Sequence, residues 1–261
     1  MTLPFVPNGR VTLITDFGDA DGYVGAMKGV IYRGFGGAAV TDIAHHVPAQ
    51  SIISGSQAAA TACPYFPPGT VHVVVVDPGV GSARAPMALV SGGHCFIGPD
   101  NGVLIAAASV LSERFDAYRI DRVFGVASAT FHGRDIFAPA AAAIASGGLV
   151  PSELGPSIVP IPCPMPAPMM HNGVWMAQVV RVDHFGNAIT NFKAEREPRP
   201  LRAILPNGHG LTVLSTYSDV AAGRPLALLG SEGWLEVAIR DGSAAETLGL
   251  EPGSPIRIIV D

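Results

Sequence analysis

Four runs of apolar, mostly β-branched positions punctuate the first hundred residues: Val11–Thr15 (VTLIT), Ala38–Ile43 (AAVTDI), Val71–Val76 (VHVVVV) and His94–Gly98 (HCFIG). They are continuous rather than alternating, which is the pattern of strands covered on both faces in a parallel sheet. Segments of helical character separate them. GYVGAMKGVIYRGF follows the first run, QSIISGSQAAATACPYF the second and NGVLIAAASVLSERF the fourth. Strand and helix in alternation predict an α/β domain. GRDIFAPAAAAIASGG predicts one more helix, stopped at Gly147 and Gly148.

The pattern then breaks. Pro156 to Met170 (PSIVPIPCPMPAPMM) is too rich in proline for a helix or a central strand, and predicts an extended, semi-rigid linker. Beyond it GVWMAQVVRVD, RAILP, HGLTVLS, PLALLG, WLEVAIR and PIRIIVD are short strand-like runs between Gly, Pro and Asn turns. They predict a small all-β domain, barrel or sandwich. The expected division is 1–158 (α/β), 159–171 (proline-rich linker) and 172–261 (all-β, barrel-like), with no internal repeat.

Composition narrows the function classes. The chain has 261 residues, 48% hydrophobic and 14% charged, enough for a sizeable core in one large or two modest domains. No segment offers the roughly 18–20 apolar residues of a membrane span, and MTLPFVPNGR lacks the features of a secretory signal. The expectation is a soluble, cytoplasmic protein. A net charge of −5 argues against nucleic acid as a partner. Cys63, Cys95 and Cys163 are odd in number and widely spaced, so buried thiols are expected rather than disulfides or a zinc site.

The chemistry collects after the strands. DFGDADGY follows the first run, AHHVPAQ the second, DPGVGSAR the third and GPDNG the fourth. Ligands of open α/β sheets bind outside the carboxyl ends of the strands, so Asp16, Asp77 and Asp100 are expected to converge on one edge. Each could instead be a turn or cap residue. Asp77 and Arg84 share one loop, either as a stiffening ion pair or as a charged pair that polarises a water. His132, before Gly133 at an expected helix start that Asp135 can cap, offers proton transfer near neutral pH. With no serine or cysteine nucleophile beside them, these three point to water as the attacking species. His45 and His46 lack a metal-binding spacing, and no metal is expected. In the second domain VDHFGNAITN (Val182–Asn191) is either an Asx-stabilised turn or a recognition motif in which Asp183 meets an amine and Asn187 a purine edge. Ser231 and Glu232 in GSEGWLEVA carry the same two readings.

Taken together, TDFGDADGYVGAMKG, VVVVDPGVGSAR, GPDNG, TFHGRDIFAP and VDHFGNAITN resemble the S-adenosyl-L-methionine hydroxide adenosyltransferases, from about Val11 to Asp261. The resemblance implies a Rossmann-like three-layer α/β domain, a β-barrel-like C-terminal domain and a homotrimer with sites at subunit interfaces. It implies hydrolysis of S-adenosyl-L-methionine (SAM) to adenosine and L-methionine without cofactor or metal. It assigns water activation to Asp77, Arg84 and His132, ribose binding to Asp16, the methionine amino group to Asp183, adenine to Asn187 and the methionine carboxylate to Ser231. Phe131 and Asn101, within the same motifs, are further substrate-binding candidates. Glu232 stands where halogenating relatives carry arginine, and those relatives lack the Asp/Arg/His set. The rival readings are a SAM-dependent halogenase, a metal-dependent hydrolase using the Asp and His residues, and a non-catalytic adenosine or SAM sensor.

Overall fold

A computed structural model describes residues 3–194 and 201–260; the expected outer domain limits at 1 and 261 lie outside those residues. The chain divides into two compact units, Met1–Pro164 and Met165–Asp261.

In the first unit β1 (Arg10–Thr15), β2 (Ala39–Ala44), β3 (Val71–Val75), β4 (Pro86–Ser91), β5 (His94–Pro99) and β6 (Phe115–Arg119) form one sheet, ordered β2-β1-β3-β5-β4-β6. β2, β1, β3 and β5 are parallel, and β4 runs antiparallel between β5 and β6. The helices are α1 (Tyr23–Gly34), α2 (Ile52–Ala62), α3 (Ile105–Leu111) and α4 (Ala138–Ala145). Alternate strand residues feed two cores. Leu13, Val73 and Val75 pack with Met27 and Ile31 of α1 and Ile144 of α4. Ile14, Val74 and Val76 pack with Ala59 of α2 and Ala107 of α3. Both faces of the strands are therefore buried, which is why their sequences are unbroken apolar runs. Each buried Val, Leu or Ile contributes roughly 1.5–3 kcal/mol, so the central strands form a rigid frame for the residues at their ends.

Three expectations need correction here. The helix expected over NGVLIAAASVLSERF stops at Leu111, and its Phe115 opens the edge strand β6. The segment after His132 begins with a widened turn, Gly133–Phe137, before α4. Asp135 does not cap that helix: its Oδ2 accepts the Ser128 N–H at 2.8 Å, and it pairs with Arg134. The proline run is extended but tied down, Ile158 N–H donating to Ala117 O (2.9 Å) and Ile161 N–H to Asp100 Oδ1 (2.8 Å).

The second unit contains β7 (Met169–His171), β8 (Val174–Val182), β9 (Ala188–Lys193), β10 (Leu201–Ile204), β11 (Gly210–Leu214), β12 (Pro225–Leu229), β13 (Trp234–Ile239) and β14 (Pro255–Val260). The order β14-β10-β11-β12-β13-β9-β8 closes on itself because β14 also pairs with β8, giving a seven-stranded barrel with β7 appended to β8. Val179, Leu235, Val237, Ile256 and Ile258 fill one core cluster of this unit. One short helix, α5 (Ala244–Leu248), interrupts the all-β pattern, its first turn capped by Ser243 Oγ, which accepts the Glu246 N–H.

Candidate active site

In the first unit β1, β3 and β5 are parallel neighbours, so the residues that follow them, Asp16, Asp77 and Asp100, lie along one sheet edge. Their surroundings differ. Asp100 is buried and holds the Ile161 N–H, and burial pushes its carboxyl above the usual range. Asn101 donates from Nδ2 to Val76 O (2.9 Å) and accepts the Val103 N–H on Oδ1 (3.1 Å), so its amide ties the end of β3 to the start of the next helix segment. Asp16 accepts the Gln50 N–H at 2.8 Å, and Gln50 takes a left-handed φ of 64° to present it. The Thr15 hydroxyl lies 2.9 Å from His45 Nδ1, and Gly18 N–H donates to His45 O at 2.7 Å. The loop carrying Asp16 is therefore laced to the segment after β2.

Asp77, Arg84 and His132 meet. Arg84 Nε donates to Asp77 Oδ1 at 2.9 Å, and its Nη2 donates to Asp77 Oδ2, closing a bidentate pair. The same Nη2 lies 2.7 Å from His132 Nδ1. A guanidinium has no acceptor, so Nδ1 is the unprotonated nitrogen and the imidazole is the neutral Nε2–H tautomer. Burial and then the Arg84 charge hold the His132 pKa below its ordinary value, with Asp77 and Asp135 opposing. The Asp77 and Arg84 side chains are only 5% and 8% exposed. Arg84 also lies over the buried Phe137 ring at 5.4 Å, while its Nη1 is buried and has no hydrogen-bond partner among the described residues. A fixed guanidinium whose two Nη1 N–H groups are unsatisfied is a donor prepared for an oxygen. Glycine makes the loop possible: Gly81 has φ 77°, and a Cβ there would come within 2.6 Å of Ala129 O.

An aromatic group frames this set. Phe17, Tyr23 and Phe131 contact one another edge to face, with ring centroids 5.2–5.9 Å apart. Arg134 lies over Phe131 at 4.9 Å. Phe17 follows Asp16 and Phe131 precedes His132, so the cluster couples the two loops.

In the second unit the turn between β8 and β9 is built on Asp183. Its Oδ1 accepts the Phe185 and Asn187 N–H groups, and its Oδ2 accepts Asn187 Nδ2, all at 2.9 Å. Gly186 takes φ 83° at the bend, and a side chain there would collide with Ser243. The Asx-type reading of VDHFGNAITN is realised, and it aims Asp183 and Asn187 into a cavity of about 970 Å³ that Ser231, Glu232, Tyr217 and Glu236 also line. That volume suits a small organic molecule.

Family models extend this picture. The N-terminal domain model of the SAM hydroxide adenosyltransferases matches residues 11–155, and the C-terminal domain model matches residues 177–257. The chain belongs to the SAM hydroxide adenosyltransferase family. Proteins named (R)-S-adenosyl-L-methionine hydrolase from Salinispora tropica and Thermus thermophilus are each 39% identical to it, over 97% and 95% of this chain and 98% and 99% of theirs. A fluorinase from an Actinoplanes species is more distant, at 23% identity over 98% of this chain and 99% of its own. Among solved structures, an uncharacterized conserved protein from Thermotoga maritima superposes with a TM-score of 0.84 at 31% identity, covering 95% of this chain and 99% of that one.

In this SAM hydroxide adenosyltransferase the structure joins Asp77, Arg84 and His132 in one cluster and Asp183, Asn187, Ser231 and Glu232 around one cavity. Sequence reasoning missed Phe17 and Tyr23, whose role is visible only through their packing on Phe131. It also missed Arg181, Tyr217 and Glu236 in the cavity. Glu236 had a signal: it is the one carboxylate within the apolar run WLEVAI.

Proposed function

We propose that this chain hydrolyses SAM to adenosine and L-methionine, with water attacking C5′. The observation that carries the reading is the guanidinium of Arg84, fixed by Asp77 and His132, with its buried Nη1 lacking a partner among the described residues. The C5′–O bond forms as the C5′–S bond breaks. The bonding pair goes to sulfur, which leaves as a neutral thioether, so no general acid is required, and the water's proton is released. Arg84 stabilises hydroxide character on the attacking oxygen, and Asp77 orients Arg84. His132 contributes its Nε2–H as a hydrogen-bond donor; to accept a proton on Nδ1 it must first part from Arg84.

Recognition is assigned to the remaining residues. Asp16 takes the ribose hydroxyls, Asp183 the methionine ammonium, Ser231 and Glu232 the neighbourhood of the methionine carboxylate, and Phe131 the apolar wall. Asn187 donates one Nδ2–H to Asp183, and its Oδ1 and second Nδ2–H are assigned to the adenine edge. Asn101 acts by shaping its loop. The names of the relatives specify the (R) epimer of SAM, which is the epimer proposed here. The assembly is proposed to be a homotrimer with active sites at its subunit interfaces, working in the cytoplasm, a compartment that suits three free thiols.

The test is incubation of chelator-treated protein with SAM in the presence and absence of fluoride and chloride. The reading expects adenosine and methionine in equal amounts under all conditions. A 5′-halogenated adenosine, or activity that returns only with added divalent ion, overturns it.

A further inference from the structure

Glu236 lies on β13 but belongs to the cavity rather than to the core that Leu235 and Val237 fill. Only 6% of the residue is exposed. Its Oε1 accepts the Tyr217 hydroxyl. Its Oε2 lies beside Gly230, where a Cβ would come within 2.9 Å of it. The charged groups that face it come from three other places. Asp183 comes from the β8–β9 turn, Glu232 from the β12–β13 turn, and Arg181 from β8, beyond the irregularity between Val179 and Arg181. The cavity lining thus carries four carboxylates, Asp183, Glu232, Glu236 and Asp241, against two guanidiniums; Arg240 is engaged with Asp241 and Val220 O, and Arg181 Nε is buried without a partner among the described residues. Burial, with Asp183 and Glu232, pushes the Glu236 carboxyl up, against the Tyr217 hydrogen bond and Arg181.

A cavity arranged this way is short of positive charge. SAM brings a sulfonium and an ammonium; adenosine brings neither. We propose that Glu236 is a specificity-determining residue, the group that makes this cavity prefer the cationic substrate to the neutral product. The inference rests on the SAM-hydrolase reading and deepens it. A neutral ligand adds no charge to offset the burial and the neighbouring carboxylates that raise the Glu236 carboxyl. A cationic ligand favours the ionised carboxylate, so its binding is coupled to proton release from Glu236 and adenosine binding is not. Product discrimination follows from the same exchange, because cleavage neutralises the sulfonium and parts adenosine from the ammonium, which stays on methionine.

The test uses sinefungin, in which a protonated amine on carbon stands in for the sulfonium and no hydrolysis occurs, with adenosine as the neutral control. Dissociation constants are measured between pH 5 and 7.5 for the wild-type protein and for Glu236→Gln. The wild type is expected to bind sinefungin more tightly as pH rises. Glu236→Gln is expected to flatten that dependence and to weaken sinefungin by about tenfold or more at pH 7.5, the effect of one opposite charge nearby, while adenosine changes much less. Equal weakening of both ligands, or an unchanged pH dependence, overturns the proposal. Tyr217→Phe keeps the carboxylate and removes one hydroxyl, and is expected to move the onset of the preference to higher pH; an unmoved onset also contradicts it. Adenosine release from SAM by the wild-type protein is followed in parallel: its absence overturns the hydrolase reading itself, whereas turnover with unaltered discrimination in Glu236→Gln overturns only the role of Glu236.

Discussion

Arg84 makes three hydrogen bonds, two to Asp77 and one to His132, and the two N–H groups of its Nη1 have no partner among the described residues. Lysine offers one point charge in place of that planar fork. Arg84→Lys is therefore expected to lower kcat about 10²–10³-fold, the cost of losing one preorganised donor, with KM changed far less; an unchanged kcat in a steady-state adenosine assay rules out its assigned role. The state of His132 sets the acid side of the pH profile. Its burial and the Arg84 charge disfavour protonation, so the active neutral form persists below the ordinary value of 6.5. The acid limb of kcat is expected to have its midpoint below 6.5, and a midpoint at or above it contradicts the pairing. A second histidine system governs stability instead. His72 Nδ1 lies 2.7 Å from the Thr12 hydroxyl and its Nε2 3.0 Å from His94 Nδ1, all of it buried. Burial, and then His94, lowers His72 to about 3, and burial lowers His94. The folded protein thus binds fewer protons here than the unfolded chain. The contribution is complete above the unfolded value of 6.5 and is lost as pH falls through it toward about 3. Thermal unfolding is expected at progressively lower temperature from pH 7 to pH 4.5, with a shallower decline in His72→Gln. At this scale Asp77 and Arg84 were legible because a glycine-rich loop at a strand end advertises them, and His132 because it precedes a glycine at a helix start, whereas Tyr217 sits in an ordinary polar turn and gains meaning only from touching Glu236.

Elements place these residues, and one helix does so by close approach. A Cβ on Gly55 of α2 would lie 2.7 Å from Val76 Cγ2 and 3.3 Å from Val103 Cγ2. Alanine favours an exposed helix interior over glycine by about 1 kcal/mol, but overpacking costs about 1–3 kcal/mol. Gly55→Ala is expected to lower the urea midpoint and also kcat, because Val76 is the neighbour of Asp77; a raised midpoint with kcat unchanged contradicts the close fit. The buried parallel strands were readable in the sequence because covering both faces leaves only apolar residues. β6 was not: Phe115–Arg119 is an edge strand carrying Asp116 and Arg119, and its phenylalanine extended the apparent helix before it. β9 was hidden because its buried Thr190 and Asn191 are polar, satisfied by Leu235 O and Pro166 O.

The change from strand–helix alternation to short strands separated by turns made the two architectures readable from the sequence. Barrel closure was not, since the pairing of β14 with β8 joins segments about seventy residues apart and leaves no local pattern. The proposed trimer is expected to show a solution mass of three times 26.9 kDa by light scattering; a monomer mass at working concentration contradicts it. The central claim is that water, held by Arg84, attacks C5′ of SAM. Incubation of the protein with SAM in oxygen-18 water, read by mass spectrometry, tests it most directly. The account predicts one heavy oxygen at the 5′ position of adenosine and none in methionine. Adenosine without label, or no adenosine at all, contradicts it.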